Sequence, residues 1–187
     1  HNSGFKVTMK DGYALTCNML INAAGLGAQE LARKIDALPS HLIPDRIMAK
    51  GHYFSYSGKA SFKHLVYPLP NKGSLGLHLC IDTGGGVKFG PDINIVDKED
   101  YDVPLILKDK FFNAVKRYFP SVDPKKLNPD YAGIRPKLSE KGLDFNIQFE
   151  NTHGIEGLIN LFGMESPGLT SSLAIGDYIR VKMNEYK

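Results

Sequence analysis

The residues best suited to chemistry gather in Gly163-Met164-Glu165-Ser166-Pro167-Gly168, with Thr170, Ser171 and Ser172 just behind. An apolar run from Leu158 to Phe162 precedes this bend and reads as a buried strand. From Thr170 onward the pattern is helical, with Leu173, Ile175, Tyr178, Ile179 and Val181 on the expected buried face. The first N–H groups of a helix have no partner inside it, and the helix dipole places partial positive charge there. A glycine bend before such a start can hold a phosphate or another electron-rich oxygen. A plainer role suits the same residues: Thr170 or Ser171 caps the helix while Pro167 and Gly168 turn the chain.

Asn22-Ala23-Ala24-Gly25-Leu26-Gly27 forms a second strand, small-residue loop and helix unit, the helix running from about Ala28 to Ile35 with Leu31 and Ile35 on one face. Small residues permit close approach by a ligand or by a neighbouring element. Arg135, one of five arginines, sits inside the strand-like YAGIRPKL. Its planar fork suits a substrate carboxylate or a structural ion pair. His52, His64 and His78 lie on strand-like runs, and one of them could serve as a general base near neutral pH. No histidine pair has metal-ligand spacing on an expected element. Tyr53, Tyr56, Tyr67 and Tyr131 are candidates to line a pocket. Gly84-Gly85-Gly86-Val87-Lys88-Phe89-Gly90 lacks the GxGxxG spacing and a following helix. It reads as a sharp change of direction beside a pocket, or as a plain hairpin.

These residues need elements to position them. Phe5 to Met9 and Tyr13 to Ile21 read as strands around a Lys10-Asp11-Gly12 turn. Pro39 and Pro44 suggest a crossing between layers or domains. Strand-like runs follow at Lys50 to Ser57, His64 to Leu69, Ser74 to Asp82 and Val87 to Phe89, with a turn at Asn71-Lys72-Gly73. Pro104 to Phe119 fits an amphipathic helix with Leu105, Leu107, Phe111, Phe112, Val115 and Phe119 on its apolar face. Pro124 and Pro129 mark a loop, Tyr131 to Leu138 an edge or bulged strand, and Asp144 to Glu150 an alternating strand.

Composition narrows the classes. A chain of 187 residues with 42% hydrophobic and 23% charged content suits a globular protein of one large or two small domains. Net charge is +3 from scattered lysines, which argues against nucleic acid binding. No apolar run approaches the ~20 residues of a membrane span. Cys17 and Cys80 match no zinc or redox spacing, so reduced core cysteines in a cytoplasmic setting are expected. The chain begins at His1 without an apolar leader and reads like the middle of a protein.

Several separated pieces together resemble one family. They are INAAGLGAQELA from Ile21, KGHYFSYSG from Lys50, VYPLP from Val66, GLHLCIDTGGGVKFGPD from Gly76, YAGIRPKL from Tyr131 and INLFGMESPGLTSSLAIGDYI from Ile159. The set is similar to the FAD-dependent L-2-hydroxyglutarate dehydrogenase/oxidase group of D-amino-acid-oxidase-like flavoproteins, over essentially the whole chain. The resemblance implies oxidation of a small-molecule 2-hydroxy acid to the 2-oxo acid, with hydride passing to FAD. Electrons would then go to oxygen or, through peripheral coupling, to a membrane quinone pool. It implies cofactor contacts at Ala24, Gly25, Gly163, Ser166, Gly168, Leu169 and Thr170, and substrate contacts at Arg135 and Tyr67. His78 is the candidate base. The expected fold is α+β with mixed and antiparallel sheets. Residues 1–39 and 140–187 would form an incomplete FAD-binding domain, and residues 40–139 an antiparallel-sheet substrate domain. The GxGxxG element that binds the ADP half of FAD in this family does not occur here, so weak or absent FAD binding by this chain alone is expected. An amine or amino-acid oxidase of the same flavin group, or a non-catalytic domain binding an acid or a protein, are the alternatives.

Overall fold

The computed structural model describes residues 4–69 and 76–185. The chain divides into two compact units, His1–Ile47 with Arg135–Lys187, and Met48–Ile134. The expected limits at residues 39/40 and 139/140 therefore differ from the divisions at 47/48 and 134/135, which fall inside strands rather than at the punctuating prolines.

In the first unit, β1 (Phe5–Thr8) and β2 (Ala14–Cys17) form the expected hairpin, closed by Met9 N–H donating to Tyr13 O at 2.7 Å. The return strand does not continue to Ile21. The chain leaves the hairpin after Cys17, and β3 (Leu20–Asn22) pairs parallel with β10 (Leu158–Phe162). Period-two alternation runs smoothly through such a change of partner, so the sequence pattern cannot reveal it. Antiparallel β9 (Asn146–Gln148) completes the mixed sheet β3-β10-β9.

Both faces of this sheet are covered. On one, Leu158 and Phe162 pack against Ala28 and Ala32 of α1 (Ala28–Ala32). That helix is shorter than expected. Its tail tightens through Lys34 N–H to Leu31 O and Ile35 N–H to Ala32 O, and Leu31 faces solvent. On the other face, Ile159, Leu161 and Phe149 pack with Ile175, Ile179 and Met183 of α4 (Ser172–Glu185). These i, i+4, i+8 positions share one side of the helix. Leu173 is 89% exposed, and Tyr178 and Val181 are also exposed, so the expected face is corrected for these three. Leu173 lies about 200° around the helix from Ile175. The expected strand from Asp144 to Glu150 is cut short by α3 (Glu150–His153), whose His153 is buried.

In the second unit, β5 (His78–Ile81), β6 (Val87–Gly90), β4 (Ile47–Tyr56) and β7 (Asn94–Val96) form an antiparallel sheet, with β8 (Leu127–Lys137) pairing β4. Pro129 and Pro136 both lie within β8, so the expected loop at Pro129 is strand. The run His64 to Leu69 makes one bridge, Val66 to Leu79, instead of a strand. The turn expected at Asn71-Lys72-Gly73, and the start of the strand expected from Ser74, lie outside the described residues.

One face of this sheet is packed by α2 (Lys108–Lys116). Phe111 and Val115 are fully buried against Phe54, Leu79 and Phe89, and the Phe54 and Phe111 rings sit 4.5 Å apart. Leu105 and Ile106, in the 3₁₀ turn before α2, are exposed, which corrects the place expected for Leu105.

Two measurements test this packing. Phe111→Ala should destabilise the protein by about 3–5 kcal/mol in denaturant unfolding, through lost transfer energy and the cavity left behind. His153 gives a pH test. Burial holds its imidazole below its ordinary pKa, and its Nδ1 accepts from Ile155 N–H at 3.1 Å. The unfolded chain therefore binds a proton that the folded one resists, and stability should fall as pH drops through about 6.5. His153→Gln should flatten the fall between pH 7.5 and 5.5; an unchanged slope would assign it to other groups.

Candidate functional site

In the first unit, the register Leu20↔Leu158 to Asn22↔Asn160 sets β3 and β10 side by side and parallel. The loops leaving their C-terminal ends therefore emerge from one edge of the sheet. Ligands of open α/β sheets bind outside such ends. Ala24 and Gly25 stand on the first loop; Gly163, Ser166, Gly168, Leu169 and Thr170 stand on the second. The two loops that carry the seven expected cofactor residues thus start from one edge of the sheet.

Each loop is held from behind. Asn22 Nδ2 donates to Ala28 O at 2.8 Å, and Asn22 Oδ1 accepts from Ala24 N–H at 3.3 Å. Arg46 Nη1 donates to Leu26 O. At Gly25 nothing lies within 4 Å of where a Cβ would sit, so this stretch of backbone is open to a ligand. Gly163 is buried with φ +70°, and a Cβ there would come 2.7 Å from the Leu138 side chain, so glycine is required on both counts. Beyond it, Lys137 Nζ meets Glu165 Oε1 at 2.6 Å. The hydroxyls of Thr170 and Ser171 both donate to Pro167 O, at 3.0 and 2.9 Å. They close the turn before α4, and Leu169 stands 89% exposed.

In the second unit, the register fixes what lies opposite the α2 face. Phe54, Phe89 and Leu79 point to the core. Ser55, Lys88 and Cys80 form the next row and, with His78 opposite Gly90, occupy the other face. His78 and Tyr67 are stacked, ring centroids 3.9 Å apart and 12° from parallel, with Tyr67 63% exposed. Tyr53 and Tyr131 form a second stack at 4.5 Å. Gly90 makes room for it: a Cβ there would come 2.7 Å from the Tyr53 ring. Lys88 Nζ pairs with Asp130 at 3.0 Å and lies 5.0 Å from the Tyr131 ring centroid. Asp130 raises the lysine pKa, while burial raises those of Tyr131 and Cys80. At neutral pH Lys88 is therefore charged, and the thiol and phenol are neutral.

Arg135 belongs to the other unit and is half-buried in β8. Among the described residues no carboxylate lies within ion-pair distance of it. The glycine run is a hairpin tip between β5 and β6, closed by Asp82 Oδ1 accepting from Gly84 and Gly86 N–H.

Sequence reasoning missed the polar core beneath β4. Asp92 accepts from His52 N–H at 2.9 Å, meets His52 Nδ1 at 2.8 Å and pairs with Lys110 at 2.7 Å. Burial pushes its carboxyl pKa up, but Lys110, His52 and Asn94 outweigh this and hold it low. Lys50, 2% exposed, pairs with Asp100 at 2.8 Å. Gly90-Pro91-Asp92 has the composition of a turn, and nothing in it signals a buried acid. Among the described residues, no group of three His, Cys, Asp or Glu could hold a metal ion, and no helix is long and apolar enough to cross a membrane.

Comparison with known proteins gives these loops a context. The chain is 46% identical over 180 residues to a mitochondrial L-2-hydroxyglutarate dehydrogenase of Arabidopsis thaliana, covering 88% of this chain and 37% of that protein. It is 26% identical to a glycerol 3-phosphate dehydrogenase of Caloramator mitchellensis, covering 92% and 35%. The chain thus spans little more than a third of either relative. Among solved structures it is similar to a dithionite-reduced L-alpha-glycerophosphate oxidase of Mycoplasma pneumoniae with FAD bound. The TM-score is 0.73 at 22% identity, over 96% of this chain and 49% of that one. A glycine oxidase of Bacillus cereus gives 0.66 at 16% identity, over 100% and 48%. Residues 1–180 match the FAD dependent oxidoreductase family, and the chain belongs to it.

Proposed function

We propose that this chain is part of a flavoenzyme that oxidises L-2-hydroxyglutarate, or a similar 2-hydroxy acid, to the 2-oxo acid. The observation that carries this reading is the 46% identity to an L-2-hydroxyglutarate dehydrogenase. The two loops at one sheet edge support it, because open backbone at Gly25 and a glycine bend before α4 fit an electron-rich cofactor. In this reading Ala24, Gly25, Gly163, Ser166, Gly168, Leu169 and Thr170 hold FAD, and residues 1–47 and 135–187 are its share of the cofactor domain. FAD, when bound, supplies the hydride acceptor.

The remaining chemistry falls to side chains. Oxidising a secondary alcohol also releases the hydroxyl proton, which needs a base. We assign that role to His78, whose ring is oriented by its stack on Tyr67. Arg135 binds the carboxylate next to the reacting carbon, supported by the absence of an ion-pair partner for it among the described residues. Residues 48–134 form the substrate domain. The reduced enzyme passes its electrons to oxygen or, peripherally, to a membrane quinone pool.

The direct test uses the full-length protein that carries this chain. It should bind FAD, turn yellow and form 2-oxoglutarate from L-2-hydroxyglutarate. A colourless protein with added FAD would sink the reading, and turnover of glycine or sarcosine in place of the hydroxy acid would redirect it to amine oxidation. Arg135→Lys should raise KM for the acid by about tenfold or more, because a point charge loses the bidentate fork. An unchanged KM would give Arg135 a structural role.

A further inference from the structure

Asn22, Asn160 and Gln148 form one row across the mixed sheet, since Asn160 is the register partner of both others. They are 0, 0 and 4% exposed. Leu158 and Phe162, two residues either side of Asn160, enter the cluster around α1, so the row lies on the α1 face. A buried amide group without a partner loses its hydrogen bonds to water and gains none in return, which destabilises the fold. Asn160 Nδ2 and Gln148 Oε1 are both in that position. A sheet face otherwise filled by leucine, alanine and phenylalanine would be more stable with apolar residues at these places.

The hydrogen bonds indicate what this row does. Asn22 donates from Nδ2 to Ala28 O at 2.8 Å and to Asn160 Oδ1 at 3.0 Å, and its Oδ1 accepts from Ala24 N–H. Both N–H groups and the oxygen of the amide are used. Ala24 and Ala28 bracket the turn Gly25–Gly27, so one side chain pins both ends of the first loop. Asn160 then ties that pin to β10, the strand that carries the second loop. Gln148 makes no bond to Asn22; its Nε2 donates to Leu42 O at 2.8 Å.

We propose that Asn160 is a positioning residue for the cofactor-facing loop at Ala24 and Gly25, acting through Asn22. This rests on the FAD reading above. Asn160 fixes the spacing between the two loops and so the width of the edge that FAD must fit.

The test compares Asn160→Leu and Asn160→Ala with Gln148→Leu and Gln148→Ala in the full-length protein. The Gln148 variants disturb the same row without touching the pin. Two quantities are read: the FAD Kd by fluorescence titration, and hydrogen exchange of the Ala24 amide in flavin-free protein. Loss of the anchoring bond should raise both Kd and exchange rate by about tenfold in the Asn160 variants, a change worth ~1.4 kcal/mol. Gln148 variants with a similar loss of Tm should leave both within about threefold. Equal effects from both pairs, scaling with Tm, would overturn the proposal, as would unchanged values in the Asn160 variants. If the wild type takes up no FAD, the FAD reading fails, and exchange at Ala24 still decides whether Asn160 positions the loop.

Discussion

Three residue pairs of parallel strand, Leu20↔Leu158, Ile21↔Ile159 and Asn22↔Asn160, are the constraint on which the first unit depends. They join parts of the chain separated by 138 residues at the Asn22–Asn160 bond. A parallel pair cannot be closed by a tight turn and needs a crossover. Here the crossover includes the whole of the second unit, Met48–Ile134. Closing so long a loop is entropically costly, and the cost must be recovered by burial on both sheet faces. That burial is present: α1 covers one face and α4 the other. Without the pair, the loops after β3 and β10 would share no edge.

This dependence explains what could be read from the sequence. Leu158 to Phe162 is apolar at every position but Asn160, as suits a strand buried on both faces, and its strand character is legible in the sequence. The loops beside it were legible from their small residues. The strand break at Asn18 and Met19 was not, because a change of partner leaves the alternation of Tyr13 to Ile21 intact. Gln148 likewise reads as the polar side of an alternating strand, yet it is buried beneath the α1 side of the sheet. Its burial follows from a helix that arrives from a distant part of the chain. On α4, Ile175 and Ile179 lie on the buried side as the pattern suggests, whereas Leu173 fits the same loose pattern and faces away, and the partly exposed Tyr178 touches the core through an edge contact with Phe149. Helical periodicity fixes which residues share a side, and packing chooses the side that is buried.

The second unit uses polar residues differently. Lys50 and His52 lie in β4 beside Phe54, and all three are buried. A lysine two residues from a histidine in a strand suggests a solvated face. Asp100 and Asp92 make burial tolerable by supplying charge-assisted partners. Neither acid is near β4 in sequence, so the pairs are products of the fold. Removing one partner alone would strand a buried charge, which makes these pairs restrictive even if they add little net stability.

Lys88 and Arg135 are two cations on strands of the same protein, and their surroundings set them apart. Lys88 is satisfied: Asp130 neutralises it, and the Tyr131 ring takes part of its field. An incoming acid would have to compete with a carboxylate already 3.0 Å from the ammonium. Arg135 is half-buried with no carboxylate in ion-pair range among the described residues. Arginine is rarely buried without a partner, because its guanidinium loses water without gaining a counter-charge. A substrate carboxylate would supply that counter-charge and could be bound through two parallel N–H···O bonds. We therefore propose Arg135 rather than Lys88 for the acid-binding role, because no carboxylate pairs with it among the described residues, whereas Asp130 already pairs with Lys88.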